Sequence, residues 1–158
     1  MNRKLNVQRT KGAIVFEIVI VVLLLAVWGI IAWLISRAPD IVPTHFGPSG
    51  QPDAYGPPTR ILMPCVVITL VTLALLFSPY FPKATLNMPF YQKEGNPRQD
   101  RLAVLLTRVL TVFMLVLLLL VAVSSLVLTS HSIVPVAAVM GAMVLTCIVF
   151  SVLMYKAK

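Results

Sequence analysis

Four apolar stretches, each long enough to cross a lipid bilayer, constrain this chain more than any other feature. They cover residues 13–36, 61–80, 102–129 and 133–155. A helix needs about 20 mostly apolar residues to span the hydrocarbon core. With 59% hydrophobic and 11% charged residues, the chain has too few polar side chains to cover a water-soluble globule. The sequence therefore predicts an all-α integral membrane protein, in which residues 1–158 form one domain of four transmembrane helices.

The distribution of basic residues predicts the orientation of these helices. Clusters of Lys and Arg precede the first span, separate the second from the third, and follow the fourth, whereas the other two connections contain only Arg37 and Arg60. Cytoplasmic loops carry the excess of basic residues, so both termini and the 81–101 connection are expected in the cytoplasm, and the 37–60 loop outside. The same pattern explains the net charge of +8. The lipid bilayer is the expected partner, and no nucleic acid is expected.

Residues at the span ends give further expectations. Asn96 followed by Pro97 is typical of a helix start, so the third helix is expected to begin before it enters the lipid. Trp33 and Tyr80 lie near span ends, where aromatic residues sit at the membrane boundary. Trp28 lies deeper, which favours packing between helices.

Two ionisable residues lie inside the spans, Glu17 in the first and Arg108 in the third. Such groups are costly in lipid and usually find a partner. Both are near the cytoplasmic side, so an ion pair is the favoured interpretation, with a proton or ion relay and independent snorkelling as the alternatives. Five hydroxyl residues of the third span are expected to bond their own helix backbone rather than line a pore: Thr107, Thr111, Ser124, Ser125 and Thr129.

The loop between the first two spans is unusual in composition. Residues 38–58 contain six prolines and three glycines. This composition is incompatible with a regular helix or a central strand and is typical of tight turns. Fixed proline φ angles lower the entropy cost of ordering, so we expect a compact, irregular extracytoplasmic loop.

Asp40, His45 and Asp53 are the ionisable side chains within that run. One interpretation is that the aspartates stabilise turns while His45 bonds a backbone carbonyl. The alternative is a metal site, because imidazole and carboxylate are competent ligands. The scattered spacing favours the first, so no cofactor is expected unless the loop binds a metal. No serine nucleophile motif, HExxH helix or phosphate loop is present, and we do not expect an enzyme.

The same loop carries a family resemblance. Its segments APDIVPTHFG and GQPDAYG are similar to the PDxIPxHF…GxPDxYG signature of a bacterial membrane domain of unknown function. That domain also occurs at the N-terminus of SdpI-like immunity proteins, which protect producing cells from a secreted toxic peptide. The cytoplasmic segments LNMPF and NPRQD further resemble NxP and NxxRQ elements of that domain. The chain departs from the pattern at Pro57 and Pro58, where a polar or basic residue often follows the glycine.

The resemblance implies a multi-pass protein of the bacterial cytoplasmic (inner) membrane. It implies membership of this domain family more strongly than it implies an immunity function. The reason is that the chain ends after four spans, without the additional C-terminal membrane domain expected of the longer immunity proteins. It marks the signature positions of the loop, without a role for each: Asp40, Pro43, His45, Gly50, Asp53 and Gly56.

Two classes of function follow from these patterns. The first is a binding or immunity-like protein whose outer loop engages a peptide, a lipid headgroup or an envelope partner. The second is a small transport-related protein or an accessory subunit of a membrane complex, in which flux would depend on Glu17 and Arg108. The sequence leaves the oligomeric state open.

Overall fold

The computed structural model describes residues 10–47, 49–81, 96–127 and 134–157, and it contains four long helices. Two short 3₁₀ turns extend the second helix. With this extension, all four helices are long and apolar enough to cross a membrane, which confirms the predicted fold class. The helices are α1 (Lys11–Arg37), α2 (Leu62–Phe77), α3 (Pro97–Leu126) and α4 (Val134–Lys156), and the 3₁₀ turns are Pro58–Ile61 and Ser78–Tyr80.

Helix α3 is the centre of the bundle. It contacts α1, α2 and α4, and its Leu118 and Ala122 are completely buried. These side chains share a core cluster with Ile31 of α1 and Cys65 of α2. In lipid, such packing rather than exclusion of water holds helices together.

Large apolar side chains remain exposed along all four helices. Helix α4 shows this most clearly, because Met154 is its one buried residue within the described part of the chain. A soluble monomer rarely exposes so much contiguous apolar surface. The protein is therefore a multi-pass membrane protein whose helices contact lipid.

Polar groups inside the bundle behave largely as the sequence predicts. The Trp28 indole N–H donates to the Thr69 hydroxyl at 3.1 Å, which confirms that Trp28 packs between helices. Thr107 and Thr111 donate to carbonyl oxygens of their own helix, at 2.9 and 2.8 Å, as expected. Thr129 lies outside the described residues.

The predicted start of α3 is also confirmed. Asn96 is the N-cap of this helix, and its side-chain oxygen accepts from the backbone N–H groups of Arg98 and Gln99 at 3.0 and 3.4 Å. Pro97 occupies the first helical position, where a backbone N–H would have no acceptor within the helix, so that its absence breaks no hydrogen bond.

The expectation of an irregular loop between α1 and α2 needs correction. The segment contains two antiparallel strands, β1 (Val42–Phe46) and β2 (Pro52–Gly56). Proline is excluded from central strands, but both strands of a two-stranded ribbon are edges, where proline is tolerated. The hairpin packs against the α3 end and the 3₁₀ turn before α2. We call this the hairpin end of the bundle.

Candidate functional site

The hairpin that covers one end of the bundle is kinked by two bulges. Pro43 pairs with Tyr55 and His45 with Ala54, which leaves Thr44 as an extra residue in β1. Between the His45 pair and the next pair, Phe46 with Pro52, Asp53 is extra in β2. A bulge bends the strand and redirects its side chains. The two insertions compensate each other, so the strands stay paired over their whole length.

The turn of the hairpin depends on Gly50. Its φ is 77°, in the left-handed region that favours glycine. Its N–H donates to the Gly47 carbonyl and the Gly47 N–H donates to the Gln51 carbonyl, each at 2.9 Å. The signature glycine at position 50 thus has a conformational role.

The second bulge brings Asp53 beside His45. Asp53 Oδ1 lies 2.5 Å from His45 Nδ1, and the two side chains are 70% (His45) and 51% (Asp53) exposed. A carboxylate that bonds one ring nitrogen fixes the orientation of the imidazole and leaves Nε2 for another partner. The pair therefore presents an oriented imidazole on the hairpin surface.

The structure does not gather the three metal candidates into one site. Asp40 lies exposed before β1, apart from the His45–Asp53 pair. Among the described residues there is no group of three His, Cys, Asp or Glu side chains able to hold a metal ion. His45 and Asp53 supply two adjacent donors, which is fewer than the three or four protein ligands of a zinc site.

A cavity of about 700 Å³ lies beneath the hairpin. Its walls come from β1, from the start of α2 with the preceding 3₁₀ turn, and from the α3 and α4 segments nearest the hairpin. Most of the lining is apolar, and its polar side chains are Thr44, His45, Thr59, Arg60, Ser124 and Ser125. An apolar cavity of this size with a few convergent polar groups is typical of ligand sites, which commonly measure about 300–1,000 Å³.

Two of these polar residues, Ser124 and Ser125, differ from the prediction that they bond their own helix. Both line the cavity, and neither hydroxyl is hydrogen bonded to another residue in the described part of the chain. Ser125 is only 9% exposed, so its hydroxyl is available mainly to the contents of the cavity. A buried hydroxyl without a partner costs free energy, which favours a polar group nearby.

Among the described residues that line the cavity, Arg60 is the one Lys or Arg, and none is Asp or Glu. The Arg60 side chain lies against the backbone of Gly56: a Cβ added at Gly56 would lie 3.0 Å from Arg60 Cδ and 3.2 Å from Nε. Gly56 therefore makes room for the arginine. Gly56 is thus the second signature glycine whose presence the structure explains. The explanation is the space that it leaves for Arg60, not a left-handed φ.

The predicted ion pair between Glu17 and Arg108 is not formed in this structure. Glu17 Oε1 instead accepts a hydrogen bond from the Tyr80 hydroxyl, so Tyr80 does more than mark a membrane boundary. The Arg108 guanidinium lies over the Phe16 ring, 5.4 Å from its centroid, as a cation–π contact. Both groups lie at the end of the bundle opposite the hairpin. Their positions within the spans predicted a similar depth in the membrane but could not identify their neighbours.

The same opposite end contains a polar clamp between α3 and α4. The amide of Gln99, which is completely buried, donates from Nε2 to the Met154 carbonyl at 2.9 Å. The Asn96 amide donates to the Ala157 carbonyl. Carbonyls in the last turn of a helix lack their usual i+4 partner. The Met154 carbonyl also accepts from the Ala157 N–H at 3.2 Å, and the Gln99 amide adds a second bond. The NPRQD segment therefore joins two helices; the LNMPF segment lies outside the described residues.

Comparison with known proteins is consistent with this geometry. Residues 22–70 match the model of a domain of unknown function, DUF1648. The matched segment runs from the middle of α1 through the whole hairpin to the middle of α2. It therefore contains the His45–Asp53 pair, Arg60 and the α2 side of the cavity, while α3 and α4 lie beyond it.

A protein of Archaeoglobus fulgidus, described as uncharacterized, is similar to part of the chain. It is 31% identical over 75 residues, which cover 42% of this chain and 40% of that protein. The alignment thus spans less than half of the relative's length. No solved structure matches the chain. The comparisons support a membrane protein that contains a domain of unknown function.

Proposed function

We propose that this membrane protein is a non-enzymatic binding protein that acts through the hairpin and the cavity beneath it. Its role is immunity-like: it protects the cell by engaging a peptide, a lipid headgroup or an envelope partner outside the cytoplasmic membrane of a bacterium. The observation that carries the proposal is the cavity of about 700 Å³, which the hairpin and three helices build together. The resemblance of the loop to SdpI-like proteins supports the protective role.

The alternative, a small transport-related protein or accessory subunit, depends on the charges in the spans. Glu17 and Arg108 have local partners, Tyr80 and Phe16, at the end opposite the cavity. A relay needs a continuous series of polar groups. Solute flux that requires Glu17 and Arg108 but not the hairpin would favour this alternative over the binding function.

The proposal requires the hairpin to face outward, as the distribution of basic residues predicts. In a variant whose native cysteines are replaced by alanine, Ser49→Cys should react with an impermeant thiol reagent on intact cells. Gln92→Cys, in the 81–101 connection, should react only after the cells are permeabilised. Labelling in the reverse order would show that the orientation is wrong.

Loss of the His45–Asp53 pair should impair the phenotype that deletion of the gene produces. His45→Ala and Asp53→Ala should each fail to complement the deletion, although both proteins reach the membrane at normal levels, because the pair is exposed and exposed pairs contribute at most about 1 kcal/mol to stability. The double variant should be no worse than either single variant, since each already removes the oriented imidazole.

Asp40→Ala is the matched control, because it removes an exposed aspartate of the same loop outside the pair. It should complement normally. Complementation is scored with membrane protein levels measured in parallel. Full complementation by both His45→Ala and Asp53→Ala would refute the assignment of function to the hairpin and leave its residues with structural roles only.

A further inference from the structure

The polar and apolar groups of the cavity are arranged for a ligand with a charged end and an apolar body. Arg60 lies at the start of the α2 span, where lipid headgroups meet the helix ends. Ile61, Pro64, Val121 and Val136 supply apolar walls from the three surrounding helical segments. The charge is therefore at the rim of the cavity, and the apolar surface continues along the helices.

The charge of Arg60 has no counter-charge among the described residues. No carboxylate lies within salt-bridge distance of its guanidinium in the described part of the chain, and Asp53 is already bonded to His45. A guanidinium offers several N–H donors in a planar fork that matches phosphate or carboxylate oxygens. Electrostatic complementarity therefore favours an anionic group at Arg60.

The body of the ligand is more consistent with a hydrocarbon chain than with a peptide. Every peptide residue carries a backbone carbonyl, and nearly all carry an N–H, that need partners when buried. Beyond Arg60 and the hairpin residues, the polar side chains among the described residues of the lining are the hydroxyls of Thr59, Ser124 and Ser125. Three hydroxyls cannot satisfy a buried peptide backbone, whereas an acyl chain has no such groups.

We propose that the cavity binds one molecule of an anionic membrane lipid, with its phosphate at Arg60 and an acyl chain between α2, α3 and α4. This inference rests on the proposed function, because it names the ligand class of the same cavity. The position of Arg60 over Gly56 is part of the site, since a larger residue at 56 would displace the guanidinium.

The experiment uses the full-length protein, delipidated in detergent and mixed with equal amounts of phosphatidylglycerol and phosphatidylcholine of identical acyl chains. Native mass spectrometry measures how much of each lipid is retained. The wild-type protein should retain one phosphatidylglycerol in preference. Arg60→Gln should reduce this preference about tenfold, because a hydrogen bond to a charged group is worth about that factor or more. Arg60→Lys should restore part of it.

Arg37→Gln is the matched control. Arg37 is the other arginine at the hairpin end, and it stacks on Trp33 at 5.9 Å from the ring centroid rather than lining the cavity. It should retain the wild-type preference. Gly56→Ala should leave the fold intact and weaken the preference less than Arg60→Gln does, because the atoms that it crowds belong to a flexible side chain that needs to move only slightly. Glycerol 3-phosphate should not compete with the lipid.

Three results would overturn the inference. They are equal retention of both lipids by the wild-type protein, an equal loss of preference in Arg37→Gln and Arg60→Gln, and full competition by glycerol 3-phosphate, which would indicate a site for the phosphate alone. The proposed function fails separately. If Arg60→Gln keeps the lipid preference while His45→Ala fails to complement the deletion, only the ligand class is wrong. If Arg60→Gln loses the lipid preference while His45→Ala complements normally, only the role of the hairpin is refuted.

Discussion

Gln99→Leu should lower the free energy of unfolding by about 1–1.5 kcal/mol, the net value of one buried hydrogen bond. Gln99 is completely buried, and its amide donates to the Met154 carbonyl in the last turn of α4. Leucine has a similar size but cannot donate, so that the Met154 carbonyl keeps only its bond from the Ala157 N–H, at 3.2 Å. Because Met154 is the one described residue of α4 that is buried, the loss falls where α4 is held to α3.

The measurement is reversible unfolding in mixed micelles of mild detergent and dodecyl sulfate. Arg101→Gln, half a turn further along α3, is the control: Arg101 is exposed and donates only to the Pro97 carbonyl of its own helix. Its effect should stay within about 0.5 kcal/mol, as for most surface substitutions. If Gln99→Leu is as mild as Arg101→Gln, the clamp does not hold α4.

The length and composition of the apolar stretches predicted the helices well, because a bilayer restricts a spanning segment to very few structures. The start of α3 at Asn96 was also predictable, since capping is a local interaction. Its second role was not. The bond from Asn96 to the Ala157 carbonyl joins residues far apart in sequence, and nothing local indicates it.

The hairpin was missed for a different reason. Pro43 and Pro52 argue against strands because each lacks a donor, but that argument applies only where both strand edges are paired. The bulge that sets Asp53 beside His45 depends on the register between two segments. Composition alone carries no information about register.

The cavity could not be predicted because its walls come from separate parts of the chain. In the sequence, Ser124 and Ser125 look like helix hydroxyls that bond their own backbone. Only the packing of β1 and α2 beside α3 shows that they line a cavity instead. Gly56 and Gly50 were recognised from the resemblance, but their roles differ. Gly50 needs its left-handed φ, whereas Gly56 gives space to Arg60.

The partner of Glu17 can be identified by double-mutant cycles. Glu17→Gln and Tyr80→Phe should each destabilise the protein, and the coupling between them should be about 1–2 kcal/mol, because the carboxyl oxygen accepts directly from the Tyr80 hydroxyl. The free energy of unfolding is measured for the wild type, both single variants and the double variant. Tyr80→Phe retains the ring, so that loss of packing does not contribute to the coupling.

A second cycle between Glu17→Gln and Arg108→Met distinguishes this arrangement from the ion pair that sequence depth suggested. Arg108 is in contact with the Phe16 ring rather than with the Glu17 carboxyl group. The losses of unfolding free energy caused by Arg108→Met and Glu17→Gln should therefore be nearly additive. A residual coupling of a few tenths of a kcal/mol is compatible with Phe16 and Glu17 being neighbours in sequence. A coupling above about 1 kcal/mol between Glu17 and Arg108, together with none between Glu17 and Tyr80, would contradict this arrangement. It would show that Glu17 forms the ion pair and not the hydrogen bond. The two cycles share one variant of Glu17, which makes their comparison independent of what that substitution does elsewhere.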